Sequence, residues 1–156
     1  TANKIPWDVL LMMGGGMALA DAFGSSGLAK AVAYAAQPYL QNTQPFMIIL
    51  SISLIVAFLS EVASNTALAA LMLPLLASLS LALKMDPRLL MFPATLAASL
   101  SFMMPMGTPP NAIVFATGAI PIRKMAYAGL WLNILGAIVL SLVMWFWAIP
   151  VLGIRV

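Results

Sequence analysis

Two short polar stretches interrupt long apolar runs of the chain and carry the residues that could bind ions. The first is Ser-Asn-Thr at Ser64, Asn65 and Thr66, and the second is Gly-Thr-Pro-Pro-Asn at residues 107–111. Their hydroxyl, amide and backbone oxygens suit a hard cation such as sodium, because hard cations prefer oxygen ligands. Helix N-termini at the same places would suit an anion, in particular a carboxylate.

Two consecutive prolines predict that the second stretch breaks a helix. Pro109 and the proline after it lack N–H groups, so carbonyls one turn earlier lose their helical donors. Each proline also disfavours the α conformation in the residue before it. We therefore expect a helix that starts near Leu89 and stops near Met106. It restarts at Pro109, with Thr108 as its N-cap and Asn111 on its first turn.

The first stretch predicts a helical hairpin whose turn lies inside the membrane. The turn at residues 63–66 contains no Gly, Pro, Lys or Arg, which usually mark a turn that emerges into water. A re-entrant hairpin is favoured, and the alternative is two ordinary spans joined by a short polar turn. Glu61 lies beside this turn, where an ionisable residue is a candidate functional group. It could equally be a structural partner for backbone N–H groups or for a neighbouring helix.

The composition indicates that both motifs belong to a membrane protein. Of 156 residues, 63% are hydrophobic and 7% are charged, against about 25% charged in soluble domains. Several charge-free runs reach the ~20 residues that a spanning helix needs. The net charge of +3 is scattered over the connections and indicates membrane orientation, not nucleic-acid binding. The chain has no histidine and no cysteine, which argues against an enzyme.

Five helical segments follow from these runs and breaks, and they define an all-α integral membrane fold. Paired broken helices of this kind mark the binding sites of secondary transporters built from inverted repeats. Arg123 and Lys124 are placed in the cytoplasm by the positive-inside rule. The segments are a transmembrane helix (1–25), an interfacial arm helix with a linker (26–44), a re-entrant hairpin (45–84), a discontinuous transmembrane helix (89–120) and a C-terminal transmembrane helix (124–152).

Three stretches of the chain resemble one transporter family. They are IPWDVLLMMGGGMALADAF at residues 5–23, FLSEVASNTALAALMLP at residues 58–74 and MPMGTPPNAIVFATG at residues 104–118. Together they resemble the divalent anion:sodium symporter (DASS, INDY-type) family of citrate and dicarboxylate transporters. The resemblance covers nearly the whole chain but only the C-terminal third of a family member, so it implies one of two inverted repeats.

The resemblance implies a sodium site and part of a substrate site. Sodium would be bound by the side chains of Ser60 and Asn65 and by the backbone carbonyls of Ala63 and Gly107. The substrate carboxylates would contact Asn65, Thr66, Thr108 and Pro109. Further candidates are Ser64, Asn111 and Glu61, the last of which matches a family acid to which we assign no role.

The implied function is secondary active transport of a di- or tricarboxylate, such as succinate or citrate, coupled to sodium. Family members are multi-pass proteins of the cell membrane that act as homodimers by an elevator mechanism. Thr66 fits the carboxylate-transporting branch better than the sulfate branch. Two alternatives stay open: a sodium-independent dicarboxylate exchanger, and a non-transporting membrane subunit or fragment.

Overall fold

The computed structural model describes residues 11, 14–15, 17–18, 21–22, 24–40 and 43–154. Within these residues all regular structure is helical, which confirms the predicted all-α class. Most of the predicted first span (1–25) lies outside the described residues. The helices are α1 (Leu28–Leu40), α2 (Pro45–Ser60), α3 (Asn65–Ala82), α4 (Pro87–Ala97), α5 (Pro109–Ala116) and α6 (Ile122–Val143), followed by a π-helix (Met144–Ala148) and a short α7 (Ile149–Leu152).

Helix α4 lies at the centre of the packing. It begins with Pro87 at its first turn, after Asp86, whose carboxylate accepts a hydrogen bond from the backbone N–H of Arg88 at 3.0 Å. Its buried residues Leu90 and Ala94 join an apolar core with residues of α2 and α3. The two hairpin helices α2 and α3 contact each other little and pack mainly on α4. The hairpin is therefore held open by α4 and not closed on itself.

The last helical stretch runs without interruption from Ile122 to Leu152. Pro150 cannot donate a hydrogen bond to the carbonyl of Phe146. Just before this proline the helix widens into the π form, in which the N–H of Ile149 reaches back to the carbonyl of Met144. By length and composition, this stretch and α3 are the two described helices that could cross a membrane.

The predicted end of the first half of the broken helix was wrong. Helix α4 ends at Ala97, well before Met106, and residues 98–108 are non-helical. The prolines account only for the end of this segment, because a proline affects its own predecessor and the preceding turn. The N–H groups just after Ala97 still bond to carbonyls of the preceding turn. Further along the segment, those of Phe102 and Met103 are bound by a side chain from another element, Glu61.

Candidate ion- and substrate-binding site

The tip of the hairpin is the short non-helical connection at residues 61–64 between α2 and α3. Ser60, the last residue of α2, is fully buried. Its hydroxyl donates to the carbonyls of Ala57 at 2.7 Å and Leu100 at 3.1 Å. Ser64 is the N-cap of α3, but its exposed side chain makes no capping hydrogen bond. The tip therefore leaves polar groups of α3's first turn without intrahelical partners.

Asn65 is partly exposed as a residue, but its side-chain oxygen is buried. Among the described residues, its side-chain Oδ1 is the only buried side-chain oxygen or nitrogen that lacks a hydrogen-bond partner. Leaving such an atom unsatisfied costs about 1–3 kcal/mol. In addition, no backbone hydrogen bond of a loop or turn in the described part of the chain is accepted by the carbonyl of Ala63 or Gly107. Free amide and carbonyl oxygens of this kind fit a sodium ion.

Glu61 binds the non-helical segment of the broken helix. The residue is 4% exposed. Oε1 accepts hydrogen bonds from the backbone N–H groups of Phe102 at 2.8 Å and Met103 at 2.9 Å, and Oε2 accepts one from Met104 at 2.9 Å. In all three bonds the carboxyl oxygens of Glu61 are the acceptors. The structure thus shows Glu61 as a partner for backbone N–H groups, which is one of the two roles left open for it.

Helix α6 supplies the other wall of this segment. The fully buried side chain of Asn133 donates from Nδ2 to Oε1 of Glu61 at 2.6 Å, and its Oδ1 accepts from the N–H of Phe102 at 3.3 Å. One turn earlier, Gly129 lies directly against Phe102 and Met103, where a Cβ atom would overlap their backbone. The segment passes close to α6 because this position has no side chain.

Hydrogen bonds bring the two breaks together. The hydroxyl of Ser101 donates to the carbonyl of Ser60 at 3.3 Å. The same hydroxyl occupies the space that a Cβ at Gly107 would take. Asn111 braces the segment from the other side, because its Nδ2 donates to the carbonyls of Ser101 at 2.9 Å and Met104 at 3.1 Å. Ser60 and Gly107, two of the expected sodium ligands, therefore lie on either side of Ser101.

The expected substrate residues lie at the starts of α3 and α5. Thr108 is the N-cap of α5, as predicted, with φ −143° and ψ 152°, but its hydroxyl makes no capping hydrogen bond. Pro109 is the first residue of α5, and both Pro109 and Thr66 are exposed. No hydrogen bond between described residues joins Thr66 to Thr108. The structure thus presents two helix N-termini without linking them directly.

Two residues of this arrangement were missed by the sequence analysis. A serine in a membrane helix usually bonds to its own helix, whereas the hydroxyl of Ser101 crosses to the hairpin. Asn133 was not singled out at all. The available signal was its place inside the apolar run 125–154, because a polar side chain in the middle of a span needs a partner within the protein.

Apolar helices interrupted by two polar breaks that touch each other are typical of secondary transporters, which bind their ligands at such breaks. A family model described as the sodium:sulfate symporter transmembrane region matches residues 1–154. The chain belongs to this family, which confirms the predicted resemblance.

Two curated relatives are similar over 99% of the chain. The sodium-dependent dicarboxylate transporter SdcS of Staphylococcus saprophyticus is 48% identical over 155 residues. The protein of the same name from Staphylococcus aureus strain USA300 is 46% identical over 155 residues. The chain spans 30% of the length of each of these relatives.

Proposed function

We propose that this chain forms the C-terminal part of a sodium-coupled transporter of di- or tricarboxylates in the cell membrane, and that it is not an enzyme. The observation that carries the proposal is the buried, unpartnered Oδ1 of Asn65 at the hairpin tip. The names of the two relatives support sodium as the coupling ion and a dicarboxylate as the substrate.

The proposed sodium ligands are neutral oxygens on both breaks. They are Oδ1 of Asn65, the hydroxyl of Ser60 and the carbonyls of Ala63 and Gly107. The hydroxyl of Ser60 donates its proton to a carbonyl, so a lone pair of its oxygen is available to a cation. Sodium at this place would bind the hairpin tip to the non-helical segment, because the ligands come from both.

The substrate carboxylates would bind at the N-termini of α3 and α5, on Asn65, Thr66, Thr108 and Pro109. The uncapped N-termini offer N–H groups and partial positive charge to an anion. Thr66 and Pro109 are exposed here, and we propose that the other repeat of a longer chain completes the site over them. Ser64 and Asn111 are lesser candidates, since the amide of Asn111 is already bound to two carbonyls.

The membrane topology follows from two clusters of positive charge. Arg88 donates to the carbonyl of Leu152 at 3.1 Å, which places it at the end of the last span opposite to Arg123 and Lys124. Asp86 pairs with Arg88 at 2.7 Å and offsets its charge. We therefore assign the Arg123 end to the cytoplasm. The hairpin then enters from outside as a re-entrant element, within a multi-pass homodimer of a longer chain that works as an elevator.

The test is ligand-dependent thermal stabilisation of the protein purified at its native length. Unfolding is followed in sodium and in choline, with and without succinate or citrate. We expect the anion to stabilise the protein only in sodium, because sodium binding raises the affinity for the anion. Asn65→Ala should abolish this stabilisation. Ser53→Ala is the matched control, since the hydroxyl of Ser53 is buried on α2 but bonds only to its own helix.

Each other result assigns a different function. Equal stabilisation in choline would favour a sodium-independent exchanger. No response to any dicarboxylate in either salt would mean that these motifs do not form a carboxylate site. A mass spectrum of the native protein decides in the same preparation between a longer transporter and a separate membrane subunit.

A further inference from the structure

Asn133 is a fully buried polar residue in the middle of the last span, and both ends of its amide bond to other elements. Its Nδ2 donates to Glu61 at the hairpin tip, and its Oδ1 accepts from the backbone of Phe102 in the broken helix. The side chain thus joins the two breaks from a third element. Asn133 belongs to none of the motifs that define the site.

A buried polar residue on this helix does not need such partners. Ser141, two turns further along α6 and equally buried, donates to the carbonyl of Ala137 in its own helix at 2.7 Å. Asn133 could be replaced by such a residue if it served only the packing of α6. Its contacts with two other elements indicate a role in their relative position.

The contacts of Asn133 lead to the proposed sodium ligands by two short routes. Glu61, its first partner, directly follows Ser60 in the chain. Phe102, its second partner, directly follows Ser101, whose hydroxyl bonds to Ser60 and lies against Gly107. A shift of residues 101–103 would therefore move one ligand relative to the other. The absence of a side chain at Gly129 keeps this segment close to Asn133.

We propose that Asn133 is a positioning residue for the sodium site. It touches neither ion nor substrate, and together with Glu61 it fixes the segment 101–104 against the hairpin tip in the geometry that sodium requires. This inference rests on the proposed sodium site. It predicts that sodium affinity is set partly from the last span, as residues that hydrogen-bond to metal ligands set the affinity of other metal sites.

The experiment compares Asn133→Ala with Ser141→Ala in the native-length protein. Thermal stabilisation is titrated with sodium, and separately with succinate at saturating sodium. We expect Asn133→Ala to raise the sodium midpoint about 10-fold or more, as when other metal sites lose a residue that orients a ligand. The succinate midpoint should be unchanged. Ser141→Ala should leave both midpoints unchanged. A merely structural role would lower the melting temperature without moving the sodium midpoint.

Failure of the inference is distinguishable from failure of the proposed function. If the unsubstituted protein shows no sodium-dependent stabilisation, the sodium site itself is wrong. If it does, and Asn133→Ala has the same sodium midpoint as Ser141→Ala, the positioning role is wrong.

A second measurement needs no substitution and can still overturn the proposal if Asn133→Ala fails to fold. Coupling between two sites is reciprocal, so sodium must stabilise the segment that positions its ligands. Hydrogen–deuterium exchange at the amides of residues 102–104 should be slower in sodium than in choline. Residues 138–143 of α6 should exchange equally in both salts. Equal exchange at residues 102–104 in the two salts would overturn the proposal.

Discussion

The hairpin tip and the broken helix are both interruptions between an arriving and a departing helix, but their polar groups are treated differently. The tip is short, at residues 61–64, and leaves the Oδ1 of Asn65 without a partner. The break in the second helix is long, at residues 98–108, and three of its consecutive N–H groups are bound by one carboxylate. A side-chain oxygen at the first interruption has no partner, whereas backbone N–H groups of the second are bound by a side chain.

The difference separates residues proposed to bind ligands from residues that hold the backbone of the long break. Buried polar groups in a membrane must be satisfied inside the protein, so a free one costs stability until something binds it. The side chains of Glu61 and Asn111 form hydrogen bonds with the backbone of the long break. Asn65 does not. Substitutions in the two classes should therefore have opposite signatures in stability and in ligand binding.

The largest loss of stability is expected for Glu61→Ala. It removes the acceptor of three backbone N–H groups and of the amide of Asn133. Each buried donor left without a partner costs about 1–3 kcal/mol, so we expect a loss of at least about 3 kcal/mol in the free energy of unfolding. Thermal unfolding in detergent measures it, in choline, where sodium binding does not contribute.

Glu61→Gln sharpens this prediction. A glutamine can offer one oxygen to the N–H groups of Phe102 and Met103, but its amide nitrogen then faces the N–H of Met104. The free energy of unfolding of Glu61→Gln should lie between those of the alanine variant and the unsubstituted protein. If Glu61→Ala unfolded at the same temperature as the unsubstituted protein, the long break would not depend on this carboxylate.

Gly129→Ala is expected to have the next largest effect. A Cβ at this position overlaps backbone atoms of Phe102 and Met103, which cannot yield as a flexible side chain can. Forcing an extra methyl group into such a contact costs about 1–3 kcal/mol. Gly136→Ala is the matched control on the same helix, because its Cβ would meet only the end of the Leu100 side chain, at 3.1 Å. Thermal unfolding of both variants compares them, and equal melting temperatures would refute the close approach.

The sequence predicted the restart of the broken helix better than its end. Pro109 and Thr108 are local signals for a helix start, and the structure places α5 accordingly. Helix α4 ends at Ala97, and the non-helical residues 102–104 that follow are bound by Glu61, which is distant in sequence. Propensity and local pattern contain no information about such a contact.

The same reasoning divides the candidate site. Short motifs identified the tip and the second break, because Ser-Asn-Thr and Thr-Pro-Pro-Asn are contiguous in the chain. Asn133 and Ser101 belong to no contiguous motif, and only the packing of α6 and α2 against the long break brings them to it. The residues that hold the backbone of the long break were thus less visible in the sequence than those proposed to bind ligands.

Asp86→Ala tests a stabilising side-chain contact that lies outside the two breaks. The carboxylate of Asp86 caps α4 through the N–H of Arg88 at 3.0 Å and pairs with its guanidinium. Loss of such a cap costs about 1 kcal/mol, and an exposed ion pair adds little. We expect a modest fall in melting temperature and an unchanged sodium midpoint. Arg88→Lys keeps the cap, so its melting temperature should fall less. A larger fall than for Asp86→Ala would contradict this assignment.

The smallest change in stability is expected for Asn65→Ala, although it lies at the centre of the proposed site. Because Oδ1 of Asn65 has no partner, its removal forfeits no hydrogen bond and relieves a buried unsatisfied atom. In choline we expect a free energy of unfolding within about 0.5 kcal/mol of the unsubstituted protein, or slightly above it. In sodium the order should reverse, since only the unsubstituted protein gains the free energy of sodium binding. Paired melting curves in the two salts measure both differences. An Asn65→Ala variant that is strongly destabilised in choline would show that this amide holds the backbone, as Glu61 does, and the contrast between the two breaks would no longer hold.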